Sequence, residues 1–380
     1  MKSIKIAYIT ETSPDDKHSW SGTVHYVYEA LKKEGFYVEA LGPASPVFVK
    51  YLLAVINKIS LFIFKKRIDY RHSKLYSFAL GRLFNAKLKT ADADMIVVCG
   101  STECGAYLVK TKPIYYVLDR TIEGALDYHT ILSSLWEFSK KQSVYTDKKA
   151  MEASSLLFFS SKWAADHARN MYGIDDAKIK VIPFGANLDK IPDRNTALKP
   201  KDTTRWKLLL IGTYWENKGA DIAFNTLQLL LKNNVDVELT VVGCKPPHTL
   251  AHERLRLIPF VDKNTKEGLD TLWTLFLSHH FFILPTRFDC TPIVFCEASS
   301  FGLPILSANT GGVEGHIKEG VNGFLLPYED KGEGYAEKIK WLVNNPEGYN
   351  QLRVSSRDHY EKELNWKNWA QSFSHEISQK

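Results

Sequence analysis

Residues 281–312 read FFILPTRFDCTPIVFCEASSFGLPILSANTGG. The four apolar residues 281–284 predict a buried strand that empties into the polar loop 285–290. Thr291 offers a side-chain oxygen at a helix N-cap, and Pro292 falls at the first helical position, where its missing N–H costs nothing. The helix carries Val294, Phe295 and Ala298 until Gly302 and Pro304 stop it. Ile305 and Leu306 then open a second strand, which ends at Thr310, Gly311 and Gly312. Two strand ends and two helix starts would thus face one crevice, the arrangement of an open α/β sheet. Such a crevice suits an anion, because the first N–H groups of a helix are unpaired and its dipole is positive there. Asp289 and Glu297 stand eight positions apart, one in the loop and one on the helix. The stretch therefore reads as a site for a phosphorylated, hydroxyl-rich ligand.

The same pattern extends in both directions. Ahead of it, residues 206–211 form a strand ending in GTYWENKG (212–219), a helix runs to 232, and residues 237–242 are the next strand. Residues 256–261 suit another strand and 265–278 a helix; beyond the central stretch, helices fall near 333–344, 347–360 and 366–378. The N-terminal half opens with a βαβ unit: strand 4–9, polar loop 10–22, helix 23–34 and strand 37–41. Strands 95–99, 114–118, 156–159 and 178–182 follow, with a long helix across 132–153. Between the halves, residues 187–205 lose apolar periodicity and gather Pro, Asp, Lys and Thr, the composition of a linker. A chain of 380 residues also exceeds the usual single core. The reading is two doubly wound α/β domains.

Composition narrows the function classes. With 44% hydrophobic and 24% charged residues this is an ordinary globular protein, and a net charge of +6 is too mild to call for nucleic acid. Five scattered cysteines without a CxxC pair indicate a reducing compartment, and no apolar leader core precedes the first strand, so a cytoplasmic location is expected. Residues 46–90 differ from the rest. Residues 47–64 are strongly apolar, 65–67 and 71–72 bring a basic cluster, and 75–88 look amphipathic. This insertion either rests on an anionic membrane surface or supplies two helices that cover the sheet with a solvated basic face. Apolar residues at helical spacing favour the second reading.

Four positions carry chemistry. Ser21-Gly22-Thr23 either lets the backbone approach a ligand or simply caps the following helix. Asp119 and Arg120 close the strand 114–118, at the end where open sheets bind ligands, though an Asp there also caps turns. Lys218 stands between a strand-end turn and a helix, where a cation can sit on a phosphate. Glu297 lies on a helix of otherwise apolar and small residues, and a carboxylate there can accept hydrogen bonds from two hydroxyls of a ribose. Cys290 with Cys296, and His248 with His252, lack the companions a metal site needs. The chain has no nucleophile elbow, Walker A loop, HExxH or GxGxxG fingerprint.

The run PTRFDCTPIVFCEASSFGLPILSANTGGVEGHIKEGVNGFLLP resembles the C-terminal signature of the family 4 glycosyltransferases, retaining enzymes of the GT-B fold with two Rossmann-like domains. WSGT (20–23), IKVIPFGANLD (179–189), GTYWENKGADIA (212–223) and LNWKNWAQSF (364–373) extend the likeness over nearly the whole chain apart from 46–90. The resemblance implies an acceptor-side domain over 1–190, a nucleotide-sugar domain over 204–360, and a terminal helix, 361–380, crossing back onto the first, with the domains facing a cleft. It implies that Glu297 holds the ribose of a nucleotide-sugar, that Asp289 lies near the transferred sugar and that Lys218 neutralises the diphosphate. Gly22 would let a loop approach the phosphates, and Thr291, Ile293 and Val294 would offer backbone groups to the sugar, with Gly311 and Gly312 at the same edge. The chain departs from the family pattern at Asp289, usually Glu, at Thr213, usually Arg, and at Pro292, often Gly. Asp119 lies nearest the place of a first-domain histidine near the acceptor. The activity implied is sugar transfer, without metal or cofactor, to a sugar, glycan or glycolipid in surface polysaccharide or glycolipid assembly. An epimerase or phosphorylase on the same fold, and an inactive sugar-nucleotide-binding module, stay open beside it.

Overall fold

A computed structural model describes residues 4–126, 128 and 134–379. The chain divides into two units, Met1–Ile182 with Ala370–Lys380, and Pro183–Trp369. The boundary thus falls ahead of the segment 187–205. That segment is not structureless: Asp193 caps a short helix inside it by accepting from Thr196 N at 2.9 Å, and the Arg353 guanidinium donates to Ala197 O and Lys199 O.

Unit 1 is a six-stranded parallel sheet in the order β2-β1-β3-β4-β5-β6. Its strands are β1 (Lys5–Ile9), β2 (Tyr37–Ala40), β3 (Met95–Cys99), β4 (Ile114–Leu118), β5 (Leu156–Phe159) and β6 (Ile179–Val181). Its helices are α1 (Thr23–Lys33), α2 (Val47–Phe64), α3 (Lys74–Leu88), α4 (Thr102–Gly105), α5 (Ile122–Leu126), α6 (Glu137–Ala153) and α7 (Lys162–Tyr172). The central strands MIVVC and IYYVL are buried at every residue, as strands covered on both faces must be. Helix α1 buries Val24, Val27, Ala30 and Leu31, one face of a 3.6-residue repeat. The expected helix over 132–153 begins at Glu137, and residues 129–133 lie outside those described.

Unit 2 is a second six-stranded parallel sheet, in the order β12-β11-β10-β7-β8-β9. It comprises β7 (Trp206–Ile211), β8 (Val237–Val242), β9 (Leu255–Ile258), β10 (Phe281–Leu284), β11 (Ile305–Ala308) and β12 (Gly323–Leu326). Around it lie α8 (Arg194–Leu198), α9 (Ala220–Lys232), α10 (Lys266–Ser278), α11 (Ile293–Ser300), α12 (Glu333–Val343) and α13 (Pro346–Lys362). Phe276, Phe282, Phe295 and Phe301 fill its core, the rings of Phe276 and Phe301 stacking at 5.0 Å. The last helix, α14 (Trp366–Ser378), is shared by sequence between the units. Within unit 1 its Phe373 packs on Phe158 at 4.7 Å and on Tyr115 at 6.1 Å.

Two expectations need correction. Helix α11 starts at Ile293, so Pro292, with ψ 83°, and not Thr291 is its N-cap. The insertion does form two helices, but most apolar residues of α2 are not core: Val49 and Leu53 pack against the unit-1 core, while Phe48 is 81% and Phe62 80% exposed.

Candidate functional site

In a parallel sheet all C-terminal strand ends share one edge, and ligands collect where the strand order reverses. In unit 2 the reversal lies between β10 and β7. The loops leaving these two strands are tied together. Arg287 N donates to Asn217 O at 2.8 Å, Thr286 Oγ1 donates to the same carbonyl at 3.0 Å, and Arg287 forks onto both carboxylate oxygens of Asp221 at 2.8 and 2.7 Å. Gly219 makes this approach feasible. It has φ +66°, and a Cβ there would lie 2.0 Å from Pro285 O.

On this scaffold Lys218 Nζ meets Asp289 Oδ2 at 2.5 Å, with both side chains mostly buried. The Asp289 carbonyl also accepts from Gly312 N at 3.0 Å, joining the loop after β10 to the turn Gly311–Gly315 after β11. Lys218, Asp289, Gly311 and Gly312 are therefore brought together by three adjacent strand ends. Glu297, buried on α11, takes an ion pair from Lys263 Nζ at 3.2 Å. Lys263 escaped the sequence reading because it lies 34 residues before its partner in a polar loop; the one hint was a buried acid without a local cation. Burying a carboxylate is expensive unless a cation or hydrogen bonds attend it, and both carboxylates of this edge have a lysine.

The remaining expected residues sort themselves. The N–H of Thr291 donates to Asp289 Oδ1 at 3.2 Å and that of Ile293 to Thr291 O at 2.9 Å, so the loop uses both internally. Val294 is half-buried beside them on α11. Thr213 lines a cavity of about 480 Å³ with Tyr214, Lys245 and Pro247, at the ends of β7 and β8. His316 is wholly buried, neither ring nitrogen has a hydrogen-bond partner, and burial pushes its pKa down to about 4. Among the described residues no group of three or more His, Cys, Asp or Glu side chains could hold a metal.

In unit 1 the strand order reverses between β1 and β3. The loop after β1 ends in three consecutive residues of positive φ, Trp20 at +48°, Ser21 at +56° and Gly22 at +93°. Gly22, in the left-handed region, is the N-cap of α1. Non-glycine residues in this region store strain that surrounding contacts must hold. One such contact is Trp20 Nε1 donating to Asp119 Oδ2 at 3.0 Å, which links the ends of β1 and β4. Beside them lies a charged cluster that the sequence reading missed. Arg71 and the Tyr76 hydroxyl both donate to buried Glu11, while His72 Nδ1 meets Asp69 at 2.8 Å and its Nε2 lies 3.8 Å from Glu103. Burial alone would lower the His72 pKa, but the Asp69 and Glu103 carboxylates outweigh it and raise it to about 9. Burial raises the pKa of Glu103, one of whose oxygens has no partner.

Comparison with known proteins follows the same lines. Residues 205–345 match the family model described as glycosyl transferases group 1. Spore coat protein SA of Bacillus subtilis is 25% identical over 372 residues, covering 88% of this chain and 92% of that protein. An uncharacterized glycosyltransferase of Haemophilus influenzae is 28% identical over 174 residues, 45% of this chain and 48% of its own. The chain spans about half the length of several other curated relatives it matches. Sucrose-phosphate synthase of Thermosynechococcus elongatus superposes with a TM-score of 0.71 at 14% identity, over 100% of this chain and 99% of that one. Anabaena Alr3699/HepE, solved with UDP-glucose, gives 0.64 at 16% identity over 99% and 100%. The two parallel six-stranded sheets are the two-domain Rossmann-like α/β architecture of GT-B glycosyltransferases, and the match to glycosyl transferases group 1 falls within unit 2, over residues 205–345.

Proposed function

We propose that the chain transfers a sugar from a nucleoside diphosphate sugar to a hydroxyl of a sugar, glycan or glycolipid, with retention at the anomeric carbon. One observation carries the reading: two lysine–carboxylate pairs, Lys218–Asp289 and Lys263–Glu297, stand on the C-terminal edge of the sheet whose sequence matches the family. Lys218 is the natural partner for the diphosphate, which displaces Asp289 from its ammonium. Asp289, held in the loop by its contacts to Thr291 and Gly312, is then turned to the transferred sugar. Glu297 accepts the ribose hydroxyls. The bond from the anomeric carbon to the phosphate oxygen breaks, one from that carbon to the acceptor oxygen forms, and the acceptor proton passes to the departing diphosphate. No dedicated base is required. Lys218 stabilises the charge that develops on the leaving group, the kind of preorganised term that removing one donor shows to be worth about 10²–10³ in rate. Asp119, fixed by Trp20, belongs to the acceptor side.

Several relatives and neighbours are named for this chemistry. A curated relative in Escherichia coli, 26% identical over 222 residues, transfers galactose from UDP-galactose to a diphosphoundecaprenol-linked sugar, and the HepE neighbour binds UDP-glucose. We accordingly place the reaction in surface polysaccharide or glycolipid assembly. The location we propose is cytoplasmic, where five free buried cysteines stay reduced. The test is a panel of nucleotide-sugars followed for released nucleoside diphosphate. Slow donor hydrolysis by the wild type, with donor binding lost in Glu297→Ala, is the expected result. Interconversion of donors, binding without turnover, or unchanged affinity in Glu297→Ala would overturn it.

A further inference from the structure

We infer that helix α2 is an in-plane membrane anchor, which seats unit 1 on a bilayer surface carrying anionic headgroups. The observation is a helix that packs only a narrow side, Val49 and Leu53, against the unit-1 core and turns most of its apolar residues outward. A surface helix normally buries its apolar stripe and shows its polar face to water. Of the eighteen residues of α2, Ser60 alone is buried. Asn57 and Ser60 also face the protein: Asn57 Oδ1 accepts from Ile68 N at 2.7 Å, and Ser60 Oγ donates to Lys66 O at 2.8 Å while accepting from Trp136 Nε1 at 2.7 Å. Phe48, Tyr51, Val55, Ile59, Phe62 and Ile63 point outward, each more than half exposed. A continuous apolar face of this kind is not left to water in a stable protein, and its neighbours say what covers it.

No acidic residue occurs between Glu39 and Asp69, an interval that holds Lys50, Lys58, Lys65, Lys66 and Arg67. Trp136 closes the C-terminal end of the helix, its ring 5.5 Å from Phe64 and 4.7 Å from the Lys66 ammonium. An apolar band with lysines, an arginine and a tryptophan at its border matches the chemistry of the headgroup boundary of an anionic membrane. A second protein copy would meet five cations in an interval that holds no acidic residue.

By length and composition α2 could cross a membrane. Topology prevents it. The helix lies between β2 and β3, both paired to β1 in one sheet, so its two ends must stay on one side. Returning through α3 is no remedy, because that helix has fifteen residues and carries Arg82. Arg67, just past α2, is pinned to the same unit by its carbonyl, which accepts from Trp136 N at 3.0 Å. The helix therefore lies along the surface, with its outer face sunk about 5–10 Å into the boundary. This placement is independent of the reaction assigned to unit 2.

All five native cysteines are buried, so single exposed cysteines introduced into the full chain can be labelled with an environment-sensitive dye. Phe48→Cys, Val55→Cys and Phe62→Cys should each report transfer to an apolar medium when phosphatidylcholine–phosphatidylglycerol vesicles are added. Met171→Cys, half exposed on α7, should stay in water. Quenching by brominated lipids should place the three α2 dyes at one depth; a gradient from 48 to 62 would overturn the in-plane placement. In flotation, Phe48→Ser with Phe62→Ser should lower partitioning about 100-fold, and Lys65→Ala with Lys66→Ala and Arg67→Ala about tenfold or more, the latter on anionic vesicles only. Both variants alter exposed positions and should melt with the wild type. No flotation of the wild type, or a dimer in sedimentation that the Phe48→Ser, Phe62→Ser change dissolves, would overturn the proposal in favour of a protein partner.

Discussion

The two sheets reverse their strand order in the same way, yet what they place at the reversal differs. Unit 2 presents two separate lysine–carboxylate pairs, Lys218–Asp289 and Lys263–Glu297. Unit 1 presents one shared network, in which Glu11 receives both Arg71 and Tyr76 while His72 bridges Asp69 and Glu103. A pair can open and hand its cation to an incoming anion at the expense of one contact. A network resists that, since moving one member leaves several buried groups unpaired. The lesson is that equivalent positions in two equivalent sheets have been given different work. Unit 2's edge is built to exchange partners, and unit 1's edge to hold a shape.

The contrast can be broken in order of expected effect. Gly219→Val should be the most damaging change, because it forces a left-handed backbone and a Cβ into Pro285 O; a loss of about 4 kcal/mol or more in the thermal unfolding of unit 2 is expected. Lys218→Ala should reduce nucleoside diphosphate release about 10²–10³-fold at temperatures where the fold is intact, beyond the stability lost by leaving Asp289 without its cation. Should it lower stability instead while sparing turnover, the pair is structural and the contrast fails. The third test is pH. His72 has a folded pKa near 9 against an ordinary 6.5, so its charged form contributes stability that is fully present below 6.5 and lost as pH rises through 9. A decline on the order of 3 kcal/mol over that window is expected for the wild type, flattened in His72→Asn. The smallest effect is Arg71→Met, about 1 kcal/mol by chemical denaturation, since that side chain is nearly half exposed while Glu11 keeps Tyr76.

Much of this was legible in local pattern. The β10–α11–β11 unit can be read nearly residue by residue, since a short apolar run, a polar loop, and a Gly302–Pro304 stop leave little choice. Periodicity also gives α1 its buried face. What escaped is pairing across distance. Lys263 with Glu297 and Arg71 with Glu11 are separated by 34 and 60 positions, and nothing in either neighbourhood names the partner. Helix α2 escaped for a different reason. Hydropathy marks an apolar helix but not the side that touches the protein, which here is the side of Val49, Leu53, Asn57 and Ser60. The N-cap at Pro292 was misplaced by one residue because Thr and Pro both signal a helix start, and the backbone chose the later one.

The Lys218–Asp289 contact also bears on how fast a donor arrives. A bare ammonium would pull a diphosphate in from a Debye length away, and salt would slow the encounter steeply. A closed ion pair projects little field. The diphosphate must first collide and then exchange places with a carboxylate, in the manner of an ion exchanger. Association should therefore change by no more than about twofold between low and physiological ionic strength. Opening Asp289→Asn would expose the cation and restore a steep salt dependence, giving faster capture at low salt and a site that free phosphate or nucleoside diphosphate also occupies. In this light Asp289 acts as a counter-ion that keeps the site from being filled by every passing anion.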